Sequence, residues 1–113
     1  MKRLFYKMRN RLFRTTENNI NYKTMEKMLK DNSEITVIDV RTRDEYRDNH
    51  LKKAVNIPLQ DICEQKVKQF VNSKNSIIIV YCEYGGRSKK AVSKLNKMGY
   101  ENVYNLDGGI QGI

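Results

Sequence analysis

Apolar residues along this chain follow two alternating periodicities. Ile77-Ile78-Ile79-Val80 is a continuous β-branched run, the mark of a strand buried on both faces of a parallel sheet. Shorter runs at 35–40, 55–58 and 103–106 read as further strands. Between them the spacing changes to that of helices. Asn21 caps a helix carrying Met25, Met28 and Leu29, and Thr42-Arg43-Asp44-Glu45 is a capping box that starts a second. Cys63, Val67, Phe70 and Val71 recur on one helical face, as do Ala91, Val92, Leu95 and Met98 ahead of a stop at Gly99. Alternating strands and helices predict an α/β domain of three layers, with a mostly parallel central sheet and helices on both faces.

Composition narrows this picture. A chain of 113 residues has room for one core, and 39% hydrophobic with 31% charged residues is ordinary for a folded domain. No apolar run approaches the roughly 18 residues of a membrane span. Two cysteines do not make a disulfide framework, so a reducing, cytoplasmic setting is expected. Charge is uneven. Lys2, Arg3, Lys7, Arg9, Arg11 and Arg14 supply most of the formal net charge of +9, with no acidic residue among them. On a helical wheel Met1, Leu4, Phe5, Met8 and Leu12 take the opposite face. Residues 1–16 are therefore expected to be a basic amphipathic extension to a domain over 17–113. Four readings stay open for 1–14: packing on the domain, docking an acidic partner, peripheral contact with a membrane, or a basic, acid-free transit peptide that lacks the usual serines. Nucleic-acid binding is not expected, because no aromatic-plus-basic strand motif accompanies the charge.

The chemistry concentrates where the central strand ends. Cys82 stands at the carboxyl end of a strand in a predicted parallel sheet, where ligands of such sheets bind. Gly85 and Gly86 allow positive φ and let several backbone N–H groups converge. Ser88 can cap the following helix, and Arg87 brings a fork of donors. Such a bowl lowers the pKa of an exposed thiol and holds an anion against it. A lone cysteine after a strand is usually a small buried hydrophobe, but the Gly-Gly-Arg-Ser sequence speaks for a nucleophile. Cys63, on an apolar helix face, is expected to be core. Asp39 and Arg41 end a neighbouring strand and are expected to brace or line the loop. His50, the only histidine, is expected to bond backbone in a turn. No Cys/His grouping has metal-ligand spacing, so neither metal nor cofactor is expected.

These motifs, taken in order, resemble the rhodanese family of sulfurtransferases. The loop fits Cys-x-x-Gly-x-Arg-Ser through Cys82, Gly85, Arg87 and Ser88. Ile38-Asp39-Val40-Arg41 is similar to the family's first signature strand, and Glu45-Tyr46, His50 and Ala54-Val55-Asn56-Ile57-Pro58 to its second block. Asn49 stands where that block usually has Gly, a mild departure since Asn tolerates αL. Leu106-Asp107-Gly108-Gly109 matches the C-terminal signature, with Ile113 where many members carry Trp.

The resemblance implies a thiosulfate sulfurtransferase. A Cys82 thiolate would take the outer sulfur of thiosulfate or a persulfide donor and pass it from a Cys82 persulfide to cyanide, a thiol or a partner protein. Glu83, Tyr84, Gly85, Gly86, Arg87 and Ser88 would form the binding loop, with Arg87 on the donor's oxyanion and Lys89 and Lys90 raising the local potential. Glu83 would oppose an anionic donor if its carboxylate faced inward. The alternatives are a sulfur-relay module serving a partner protein, a silent interaction domain, and a cysteine phosphatase. The silent domain would normally have lost Cys82. The phosphatase would need five residues between cysteine and arginine, where this chain has only Glu83-Tyr84-Gly85-Gly86.

Overall fold

The computed structural model describes residues 18–113; the basic extension lies outside the described residues. Five parallel strands form one sheet: β1 (Asn19–Ile20), β2 (Thr36–Asp39), β3 (Val55–Asn56), β4 (Ile77–Tyr81) and β5 (Asn102–Leu106). Their spatial order is β1-β5-β4-β2-β3, which puts the most apolar run at the centre. Ile38 pairs with Val80 on one side of β4, and Ile79 pairs with Tyr104 on the other.

Helices α1 (Tyr22–Asp31), α2 (Arg43–Asp48), α3 (Glu64–Lys68) and α4 (Gly86–Lys97) connect the strands. Side chains alternate across the sheet and separate two cores. Ile38, Ile78, Val80 and Val103 pack with Val67, Ala91 and Leu95 on one face. Val37, Ile79, Tyr104 and Leu106 pack with Met25 and the α1 and α2 side on the other. This is the α/β architecture of three layers that the residue pattern predicts.

Local signals explain the helix starts. Asn21 Oδ1 accepts from Thr24 N at 2.8 Å. In the capping box Thr42 Oγ1 accepts from Glu45 N at 3.2 Å while Glu45 Oε1 accepts from Thr42 N at 2.8 Å. One expectation fails. Cys63 is not core: it is exposed at the extended N-cap of α3, with φ −151°, so its side chain leaves the apolar helical face. Phe70 is likewise exposed, because α3 ends at Lys68 before the pattern completes; Val67 and Val71 alone are buried there. No helix among the described residues is long and apolar enough to cross a membrane.

Candidate active site

Cys82 follows β4 in the alternation of Ile78 and Val80, so its side chain points to the α4 face. It is 1% exposed. The thiol is thus at the floor of the bowl, deeper than the exposed nucleophile expected from the loop sequence. Gly85 takes φ +114° and serves as N-cap of α4, which turns its N–H onto Cys82 Sγ at 3.0 Å. Ser88 N–H reaches the same sulfur at 3.4 Å, and Ser88 Oγ lies 3.4 Å from it. Burial opposes the anion on Cys82, but the Ser88 hydroxyl and the N–H groups of Ser88, Gly85 and Tyr84 outweigh it. The thiol therefore titrates below its ordinary value.

Two details of the loop differ from expectation. Gly86 is the first helical residue and does not take positive φ; Gly85 alone makes the turn. Ser88 does not cap α4. It sits within the first turn, where Gly85 O at 3.1 Å and Asn105 Oδ1 are both within reach of its single hydroxyl proton. A residue at that helical position has its side chain beneath the loop, not ahead of the helix.

Asp39 and Arg41 brace the loop. Arg41 is 2% exposed, and its guanidinium donates to both Asp39 oxygens, to Asn49 O at 2.6 Å and to Glu83 Oε1 at 2.9 Å. Gln111 Nε2 donates to the second Glu83 oxygen. These contacts hold the Glu83 carboxyl below its usual range, Gln111 first and Arg41 next. Glu83 is therefore tied to the wall between β2 and the C-terminal turn.

Arg87 makes a different contact. Both terminal nitrogens fork onto Glu45, at 2.8 and 3.0 Å, and hold its carboxyl down to about 2. Glu45 was legible as a capping residue; its pairing with Arg87 was not, because 42 residues separate them. Tyr84 stands at the tip of the loop, 74% exposed. Lys89 and Lys90 are exposed on α4. His50 bonds Tyr46 O at 2.8 Å through Nδ1 and stacks on the Tyr46 ring, as the turn reading expects.

The C-terminal turn closes the site from the far side, which the sequence did not reveal. Ile110 N donates to Cys82 O at 2.9 Å and Gln111 N to Glu83 O at 3.0 Å. Gly109, at φ +63°, lies so close that a Cβ there would come within 2.5 Å of Cys82 O. Backbone meets backbone at that point, so only glycine fits. Asn105, in β5, is the other unforeseen participant.

A family model described as a rhodanese-like domain matches residues 21–113. The chain belongs to the rhodanese-like domain family. It is 38% identical over 76 residues to thiosulfate sulfurtransferase PspE of Escherichia coli (strain K12), covering 67% of this chain and 71% of that protein. It is also 34% identical over 86 residues to a tRNA uridine(34) hydroxylase of Cytophaga hutchinsonii, covering 74% of this chain but only 28% of that longer protein. Among solved structures, a rhodanese-like domain protein from Staphylococcus aureus superposes with a TM-score of 0.73 at 27% identity, covering 84% of this chain and 89% of that one. A rhodanese-related protein from Thermoplasma volcanium gives a TM-score of 0.69 at 29% identity, covering 83% and 87%. The rhodanese-like domain and its relation to PspE support an enzyme of the sulfurtransferase type.

Proposed function

We propose that the protein moves a sulfane sulfur from thiosulfate, or from a persulfide donor, to a thiophilic acceptor through a persulfide on Cys82. The observation that carries this reading is the Cys82 sulfur held by the Gly85 and Ser88 N–H groups, at 3.0 and 3.4 Å, in a bowl closed by backbone.

The chemistry follows from that bowl. The Cys82 thiolate attacks the outer sulfur of thiosulfate; a new S–S bond forms, the old one breaks, and sulfite leaves with its electron pair. The N–H groups that hold the thiolate also suit the persulfide anion. An acceptor nucleophile then attacks the outer sulfur and returns Cys82 to thiolate. Cyanide leaves as thiocyanate and a thiol leaves as a persulfide. With the sulfur this deep, a donor must present a slender sulfur end, as thiosulfate and persulfides do. Arg87 is the cation for the donor's oxygens. Its half-exposed Glu45 partner gives way to an incoming anion.

A second reading is favoured by Tyr84, whose exposed ring tops the loop. In it the acceptor is a cysteine of a partner protein docked over Tyr84, and the same persulfide is handed on.

Mass spectrometry of the intact protein after thiosulfate treatment tests the chemistry. We expect one added sulfur on Cys82, retained in Cys63→Ser and absent in Cys82→Ser, and removed by cyanide as thiocyanate. Wild-type turnover in Cys82→Ser would overturn the assignment. If the persulfide forms but Tyr84→Ala slows only its transfer to protein thiols, the relay reading is the correct one.

A further inference from the structure

We propose that Asn105 is a positioning residue that sets the direction of the Ser88 hydroxyl proton and, through it, the charge on Cys82. The inference deepens the sulfurtransferase reading above, in which the Cys82 thiolate is the nucleophile.

Ser88 has one hydroxyl proton and can donate it once. Three acceptors surround it: Cys82 Sγ at 3.4 Å, Gly85 O at 3.1 Å, and Asn105 Oδ1. Asn105 is 1% exposed, in the β5 alternation that turns Val103 to the α4 side. On its other side Nδ2 donates to Asn19 Oδ1 at 3.0 Å, which leaves Oδ1 toward Ser88. The face presented to Ser88 is therefore a pure acceptor.

An acceptor in that place draws the Ser88 proton away from the sulfur. The hydroxyl lone pairs then face Cys82 and accept from its S–H, which suits the neutral thiol. The thiolate needs the reverse: Ser88 must swing its proton to sulfur, and Asn105 Oδ1 is left buried without that donor. The Gly85 and Ser88 N–H groups serve the anion in both arrangements. Asn105 thus limits how far the bowl lowers the thiol's pKa. No proton passes to Asn105; the one leaving Cys82 goes to water, and Ser88 only exchanges hydrogen bonds.

The charged groups around the sulfur are held by partners other than Asn105. Arg87, on α4, acts on Cys82 through its field and is held by Glu45 of α2. Glu83, on the loop, is held by Arg41, just after β2, and by Gln111 of the C-terminal turn. Among the described residues, β5 turns Val103 and Asn105 to this side, and neither titrates.

The test is titration of the Cys82 thiolate by its ultraviolet absorbance, in Cys63→Ser so that the exposed thiol does not contribute. Asn105→Ala should lower the Cys82 pKa by about one pH unit, the scale of one hydrogen bond to a charged group. Asn105→Asp should raise it, since a carboxylate holds the Ser88 proton harder and adds like charge. A merely structural role would loosen the site in both and would not produce opposite signs. In Ser88→Ala, adding Asn105→Ala should produce no further shift. Asn19→Ala, at an exposed position on β1, frees the amide without touching the core. It should move the pKa the same way as Asn105→Ala, by less, and it decides the question should the Asn105 variants fail to fold. An unmoved titration in Asn105→Ala or, failing that, in Asn19→Ala overturns the proposal, as does an undiminished shift without Ser88. The titration uses no sulfur donor. A protein that transfers no sulfur yet shows these shifts would sink the sulfurtransferase reading alone, and an active protein with an unmoved titration would sink the Asn105 role alone.

Discussion

The two arginines beside the Cys82 loop are held in opposite ways. Arg41 is 2% exposed and surrounded by Asp39, Glu83 and the Asn49 carbonyl. Arg87 is 37% exposed and forks onto one carboxylate, Glu45, itself 33% exposed. A buried cation whose three nitrogens are all engaged by the protein has little left to offer a ligand, and removing it strands buried acid. A rim cation with one solvated partner can trade that partner for an incoming anion at little net loss. The same residue type is therefore locked into the fold on one side of the loop and left at the rim, on a single solvated partner, on the other.

The largest effect is expected at Arg41. Arg41→Met leaves Asp39, which is fully buried, without its partner, and should destabilise the fold by about 3–5 kcal/mol. Urea unfolding measures this; a midpoint within error of wild type would mean that Arg41 braces nothing.

Arg87→Ala should show the converse. Its exposed pair contributes little to stability, so the urea midpoint should hardly move. Thiosulfate turnover should suffer instead, with kcat/KM down by about tenfold to a hundredfold, the worth of one charge-assisted contact of about 1.5–3 kcal/mol. An equal loss with an uncharged sulfur donor would mean that Arg87 shapes the loop and does not bind the anion. Glu45→Gln sharpens the point, because glutamine keeps the capping box while releasing the guanidinium. It should lower the KM for thiosulfate.

The small stability due to the Arg87–Glu45 pair has its own pH signature. Glu45 titrates near 4.5 when free and at about 2 in the fold, so its folded value is depressed. The contribution is present above about pH 4.5 and disappears as the pH falls through 2. The stability difference between wild type and Arg87→Ala should be level from neutral pH down to about 4.5 and close toward pH 2. A difference that persists at pH 2 would place its origin elsewhere.

Glu83→Gln should have the smallest effect. Arg41 and Gln111 already hold that carboxylate, so thiosulfate turnover should rise by about twofold or less, and the gain should fade at high salt. A larger gain would mean that Glu83 turns inward and gates the site.

Much of this was readable along the chain because it is local. The central run 77–81 reads as a buried strand, Asn21 and Thr42 carry their caps within three residues, and Cys82, Gly85 and Ser88 meet across one short loop and the helix start after it. Local signals were enough for the layered α/β order, for placing Cys82 at the end of the central strand and for the turn at Gly85, since periodicity and loop chemistry act over a few residues. Where local spacing was not enough, it misled: Cys63 fits a helical face on paper, yet α3 begins only after it. Tertiary structure alone decided the partners of the two arginines, the docking of Gly109 and Gln111 on the loop, and the placing of Asn105 under Ser88. Each joins residues far apart in the chain, and which acceptor a side chain meets depends on the register of packed strands and helices, which no spacing rule along the chain contains.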